Sequence, residues 1–273
     1  VIFGNYAARG VPTGMPFEKF YSASFEDVMT ITETKLPWSY VLPDTDMFHS
    51  VMQMAAVIRE KLPLISLVPD AMYNENNELV HMSTGKPFTN IDDSEKKLSL
   101  SSAGFVKWIA DGLVEPLTGG MLKREPLIQE TVQIKDNGYQ GILSQRYNLF
   151  FSLDWIRNLA SALISVYSGK TYLFNQSGVD VTVNPFASAI SDKGVANVVT
   201  FVENSGYTVS VLRSLLYVMA ATEPGTFYFG AIRGTDRTIS PEIKAFNECA
   251  AFFPYFRDDG GFDCCVFMNG REM

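Results

Sequence analysis

Histidine is almost missing from this chain. Only His49 and His81 occur in 273 residues, so catalysis or metal binding built on several imidazoles has little material. Cysteine is scarce as well, with Cys249, Cys264 and Cys265 alone. Three thiols, two of them adjacent, make neither a disulfide framework nor a zinc site with ligands at loop-compatible spacings. Nucleotide fingerprints are absent too: Gly85-Lys86 and Gly169-Lys170 lack the surrounding Walker pattern. No cofactor and no metal is therefore expected. Positive charge is nowhere concentrated and the formal net charge is −8, which excludes non-specific nucleic-acid binding through clustered phosphate contacts. The longest apolar stretches, at 150–166 and 209–221, are interrupted by Asp154, Arg157 and Arg213. They fall short of the roughly 20 apolar residues of a membrane span. The chain opens on Val1 rather than Met, which a removed secretory leader and a cloned fragment explain equally well.

What is present is ample material for a core: 47% hydrophobic and 13% aromatic residues, enough for one large domain, or one domain with an elaborate insertion. Residues 1–46 are punctuated by Gly4, Gly10, Pro12, Gly14, Pro16, Pro37 and Pro43 and read as irregular. Thr45 or Asp46 then caps a helix over 47–61, closed by Pro63, with Phe48, Val51, Met52, Ala55 and Ile58 on its apolar stripe. His49 lies next to that stripe. An extended segment over 78–82 carries His81, and nothing in the sequence brings that imidazole to another group. The charged run 92–97 reads as a solvated loop.

Further on, 131–134 reads as a strand, and Ser152 and Asp154 as the capped, acid-favoured start of a helix over 153–167 that Gly169 ends. Short β-like runs at 171–174 and 179–183 precede a helix over 208–221. The last quarter changes character, with strands at 226–232, 248–256 and 262–268, the last two joined through Asp258-Asp259-Gly260-Gly261. Helices followed by antiparallel strands predict an α+β fold.

One stretch organises the rest: Ser101-Ser102-Ala103-Gly104-Phe105-Val106. Two small hydroxyl residues stand before a helix whose face carries Phe105, Val106, Ile109 and Leu113, the signature of a helix start that docks closely. This block is similar to the Asp-Cys-Ser-Gly-Phe-Val that opens the central helix of NlpC-type cell-wall cysteine peptidases, with Gly104, Phe105 and Val106 identical. Pro224-Gly225-Thr226-Phe227-Tyr228-Phe229 resembles that family's Gly-Asp-led strand, with Thr226 in place of the acid. Glu248-Cys249-Ala250-Ala251-Phe252-Phe253 resembles its His-led strand.

The resemblance implies a papain-like, NlpC-like core over 99–119 plus 224–273, its central helix packed on an antiparallel sheet. An N-terminal segment over 1–98 would pack on it, and 120–223 would be a mainly helical insertion. It also puts Ser102 in the nucleophile's slot, Ser101 in the preceding acid's slot and Glu248 in the base's slot (Asn247 if the register moves by one), with Asp263 as the third polar position. The implied binding cleft is bordered by Ser101, Ala103 and Trp108. The implied partner is a peptidoglycan peptide or glycan, and the implied location is periplasmic or extracellular.

The departures from the family motif bear on chemistry. In a cysteine enzyme the helix N-terminus and a neighbouring imidazolium lower the thiol pKa from about 8.5 to roughly 3.5–7.5. A serine hydroxyl is not ionised by the same influences and needs a general base with a pKa near the working pH. Glu248 would serve only with its pKa raised by burial. A hydrolytically inactive relative that keeps a cleft for binding, or that acts as a scaffold, is the first expectation. An active amidase or endopeptidase using Ser102 or a C-terminal cysteine is the second, and a surface interaction protein without enzyme ancestry the third. The cysteines themselves read as packed strand residues, and adjacent Cys264 and Cys265 point to opposite faces.

Overall fold

The computed structural model describes residues 2–3, 6–7, 12–36, 38, 42–89, 97–132, 149–176, 178–182, 201–236 and 242–273. In chain order the strands are β1 (Ile2–Phe3), β2 (Tyr6–Ala7), β3 (Ile65–Leu67), β4 (Ala71–Tyr73), β5 (Leu79–His81), β6 (Leu98–Leu100), β7 (Tyr228–Asp236), β8 (Ile243–Phe256), β9 (Phe262–Met268) and β10 (Arg271–Glu272). The α-helices are α1 (Phe25–Thr32), α2 (His49–Lys61), α3 (Ser102–Thr118), α4 (Arg124–Leu127), α5 (Phe151–Ser168) and α6 (Leu212–Thr222). The fold is α+β. Its largest sheet has four strands in the order β10-β9-β8-β7, while β1-β2, β3-β6 and β4-β5 pair separately, only β3-β6 being parallel.

Two compact units divide the chain. One comprises Gln53–Val181, Phe227–Phe253 and Cys265–Met273; the other comprises Val1–Met52, Thr182–Thr226 and Pro254–Cys264. These boundaries differ from those expected of an inserted 120–223. Helix α5 belongs to the same unit as α3, and it supplies Trp155, Ile156, Leu159 and Leu163 to a core that also holds Ala103, Val106, Ala110 and Val114 of α3 and Cys249 of β8. The Trp155 indole N–H donates to the Ala103 carbonyl at 3.0 Å. A segment that provides five of the thirteen buried residues of a core is not an appendage to it.

Helix α3 forms because its sequence supplies both ends. The Ser101 hydroxyl accepts the Gly104 N–H at 3.1 Å, satisfying one of the four orphan donors at the N-terminus, and Gly119 closes the helix with φ 76°. Nine of its residues are buried, as expected of a helix enclosed on nearly every side. Gly104 is required by proximity. Its φ is ordinary, but a Cβ there would collide with the Ala71 carbonyl oxygen of β4, and the Ser101 N–H donates to that same oxygen at 2.8 Å. Gly104→Ala is expected to destabilise the protein by about 1–3 kcal/mol through overpacking, measured as a shifted urea midpoint with unchanged m-value.

Local departures from the sequence reading have local causes. Helix α5 begins at Phe151, with no side-chain cap. Ser152 is buried, and the Asp154 carboxylate accepts the Thr131 N–H at 2.8 Å and the Thr131 hydroxyl at 2.6 Å. Thr131 thus spends its N–H on a side chain and starts no strand; Val132 is a bend, and 133–134 lie outside the described residues. The run 171–174 is likewise no strand. Its backbone is tied locally, with Leu173 N–H on the Gln176 carboxamide oxygen and Gln176 N–H on the Leu173 carbonyl. Residues 179–182 form bends and coil, and 183 lies outside the described residues, as does most of the charged run at 92–97.

The other unit is held by aromatic packing. Phe48 and Phe256 are buried with Ala220; Phe256 meets Phe48, Tyr217 and Phe262 in edge-on pairs, and Tyr217 meets Phe262 likewise, with centroids 5.1–5.6 Å apart. Helix α1 carries a reciprocal capping box between Ser24 and Asp27.

Candidate functional site

Two places on α3 bear on function: its N-terminus, and a pocket one turn further along. At the N-terminus Ser102 is half-buried. Its hydroxyl accepts the Cys249 N–H at 2.9 Å and donates to the Cys249 carbonyl at 3.4 Å. Both main-chain groups of one β8 residue are thereby engaged by a side chain, as the accounting of buried backbone polar groups requires. Among the described residues no hydrogen bond joins Ser102 to a histidine or a carboxylate. Glu248, which precedes Cys249, is half-buried, and its Oε1 accepts from the Asn269 carboxamide at 3.2 Å.

The third expected position sits elsewhere in its bonding. Asp263 belongs to the hairpin after β8, where its carboxylate accepts the Cys264 N–H at 2.8 Å and lies 3.5 Å from the Arg257 guanidinium. The polar side chain on Glu248 is Asn269, six positions later in the chain. Ser101 and Ala103, expected at a cleft, are buried. Ser101 caps the helix and the Ala103 carbonyl receives Trp155, so neither borders open space.

The thiols are packed. Cys249 is fully enclosed, and burial pushes its pKa up to about 12, so it is a neutral thiol at physiological pH. Burial also raises the Cys265 thiol, which lies 3.5 Å from an Arg59 guanidinium nitrogen already paired with Glu272.

The histidines are placed just as plainly. His49 is exposed at the start of α2. His81 has its Nδ1 3.1 Å from Asp70 Oδ2 and its ring stacked on Phe88 with centroids 3.7 Å apart. Asp70, a non-glycine residue at φ 61°, also accepts the Ser83 N–H at 2.8 Å and hydroxyl at 2.6 Å. Together they brace the turn after β5, and Arg124 closes it by donating to the Met82 and Ser83 carbonyls. Asp70 stands between the serine and the imidazole, so this is not the relay of a serine nucleophile to its base. No group of three or more His, Cys, Asp or Glu side chains among the described residues could hold a metal ion.

The pocket has about 360 Å³ of empty space, open solvent at its mouth included. Trp108 borders it, as do Leu98 and Leu100 of β6, Tyr73 at the end of β4, Asn77 in the following turn, and Met121 after α3. Its inner wall includes Lys107 and Asp111, an i,i+4 pair with side chains only 1% and 7% exposed and Nζ 2.6 Å from Oδ2. Lys107 also donates to the Tyr73 carbonyl at 3.0 Å, and the other Asp111 oxygen accepts the Leu122 N–H at 2.9 Å. Burial raises the Asp111 pKa while Lys107 opposes the rise. The sequence signal for this pair is present: two opposite charges four residues apart within the apolar run of 103–114. Their spacing alone suits a solvated pair equally well, and only the enclosure of α3 on this side separates the two cases. Of the expected cleft residues, Trp108 alone reaches an opening.

Comparison with known proteins adds a short match. Residues 1–40 match a domain of unknown function, DUF8515. No curated protein and no solved structure matches the chain. Among the described residues no helix is long and apolar enough to cross a membrane.

Proposed function

We propose that this chain is a non-hydrolytic binding protein built on an NlpC-like, papain-like core, with a peptidoglycan peptide or glycan as its ligand and a periplasmic or extracellular place of work. One observation carries the reading: the Ser102 hydroxyl is held by the Cys249 main chain. A serine nucleophile needs its proton drawn off by a base in hydrogen-bonding reach, and this hydroxyl instead bonds a strand backbone. The relation of helix to sheet supports the NlpC-like part, since α3 shares a core with Cys249 of β8 and with Phe229 and Ala231 of β7. The pocket beside Trp108 supports the binding part.

The test is direct. Incubated with purified peptidoglycan, the protein is expected to release no soluble peptide or sugar above a heat-killed control, and Ser102→Ala is expected to behave identically. That variant should instead lose about 1 kcal/mol of stability from the missing hydrogen bonds. Release that disappears in Ser102→Ala would overturn the reading. The alternative without enzyme ancestry draws on one observation, the share that α5 takes in the core of α3, which the resemblance does not call for.

A further inference from the structure

The turn that joins β9 to β10 is built from Asn269 and Gly270, both at positive φ, 52° and 68°. A two-residue hairpin turn asks for that conformation at both of its central positions. Gly270 is needed for a second reason, since a Cβ there would meet Ile65 Cγ2 at 2.9 Å. The same dipeptide has a chemistry of its own. Glycine carries no Cβ to bar approach, so its main-chain nitrogen reaches the preceding carboxamide carbon more easily than any other residue's. The closed turn restrains both partners of that attack. The Asn269 carboxamide donates to Glu248 Oε1 at 3.2 Å, and β10 is laddered to β9 by the pairs Arg271–Met268 and Glu272–Phe267. The restraint on β10 is slight, because the strand has two residues and both are exposed. Its other tie is Arg59 of α2, whose guanidinium donates to both Glu272 carboxylate oxygens. An exposed ion pair adds little, so release of β10 belongs among the easy local openings of a fold.

We propose that Asn269 is a self-modification site, gated by release of β10, at which the side-chain amide is lost with water as co-reactant. In the open segment the Gly270 main-chain nitrogen bonds to Asn269 Cγ. The Cγ–Nδ2 bond breaks, and the proton given up by the nitrogen ends on the departing ammonia. Water then opens the resulting imide ring at one of its two carbonyls. The products are aspartate at 269, or an isoaspartyl link in which the main chain runs through Cγ. Nothing is oxidised or reduced: asparagine and water become a carboxylic acid and ammonia. Either product removes the donor that Glu248 accepts from and sets a second negative charge beside it, which repels where a hydrogen bond held. The isoaspartyl form also lengthens a turn whose geometry is fixed at two residues. Closure of β10 is weakened afterwards, so the change runs one way. This inference is independent of the non-hydrolytic reading.

The full chain, held folded at mildly alkaline pH, tests it. Conversion is followed by the mass of the proteolytic peptide that carries Asn269 and by enzymatic methylation of isoaspartyl groups. Folded protein is expected to convert measurably, and several-fold more slowly than the same chain unfolded in urea. Arg59→Gln and, separately, Glu272→Gln are each expected to speed conversion about two- to fivefold, as fits the loss of one exposed ion pair. Asn269→Asp, whose residue type tolerates the φ of 52°, reproduces one product. It should lower the urea midpoint, and adding Glu248→Gln should recover most of the loss. No conversion in the folded chain while the unfolded chain converts fully overturns the proposal, and so does conversion equally fast in both states. An unchanged rate in both Arg59→Gln and Glu272→Gln removes the gate and overturns it too. A midpoint in Asn269→Asp that Glu248→Gln does not recover overturns the part assigned to Glu248.

Discussion

Lys107→Met is expected to cost about 3–5 kcal/mol of stability, because it leaves the Asp111 carboxylate buried without its counter-charge. The two side chains are almost wholly enclosed and bonded at 2.6 Å, so water cannot replace the missing ammonium without opening the wall of the pocket. The sign of the pH dependence follows from Asp111. Burial holds its folded pKa above the ordinary carboxylate value, and Lys107 is the main influence pulling it down. With the lysine gone the folded pKa rises further above the unfolded one, and the native state then binds more protons than the unfolded state. Stability of the variant therefore falls as pH rises between those two values and returns as pH drops below them. Urea denaturation at neutral and at mildly acidic pH checks this: the gap between Lys107→Met and the parent should narrow on acidification. A gap that widens would show that the penalty does not come from Asp111. Adding Asp111→Asn keeps an acceptor for the Leu122 N–H while removing the charge, so the double variant should be more stable at neutral pH than Lys107→Met alone.

Trp155→Ala is expected to cost a similar amount, about 3–5 kcal/mol, as a large side chain is deleted from a closed core. Trp155 has no exposed surface, stacks on Phe151 and donates to the Ala103 carbonyl. Trp155→Phe keeps most of the packing and loses the donor. Its hydrogen-bond cost is nearer 1 kcal/mol, because the Ala103 carbonyl lies inside α3 and keeps its helical partner. The pair of variants reads out what α5 is. If residues 120–223 were appended to a self-sufficient core, Trp155→Ala would lower stability by only a few tenths of a kcal/mol. A loss of several, in one cooperative transition, places α5 inside the folding unit.

The sequence is most informative where structure is local. Periodicity places the helices at 49–61, 102–118, 151–168 and 212–222 to within a few residues of their expected limits, because an apolar stripe and its stop signals lie within each segment. The hairpin of β8 and β9 is legible for the same reason. The strand reading at 171–174 fails, and no strand begins at Thr131 or Val132, because a strand needs a partner that the segment itself does not contain; the N–H groups of Thr131, Tyr172 and Leu173 go to Asp154, Ser165 and Gln176 instead. The candidate site divides along the same line. That Ser101 and Ser102 open a helix is written in the residues themselves. Ser102's bond to Cys249 is not, nor is the displacement of Asp263 by Asn269 beside Glu248, since each is settled by residues distant in sequence. His81 shows the reverse: its partner Asp70 is eleven positions away, but no pattern marks a turn that bends back on an aspartate at positive φ.

The Ser102–Cys249 bond also says something about how the chain is made. Its two ends are 147 residues apart, and Cys249 belongs to the core that α3 and α5 begin. A ribosome adding about 5–20 residues per second exposes the apolar face of α3 for several seconds before the strand that covers it has been synthesised. The helix that presents that face thus depends on a strand made more than a hundred residues later. Completion of this core waits for β8, and a chain stalled before β8 offers chaperones and proteases an open α3–α5 surface rather than a finished domain.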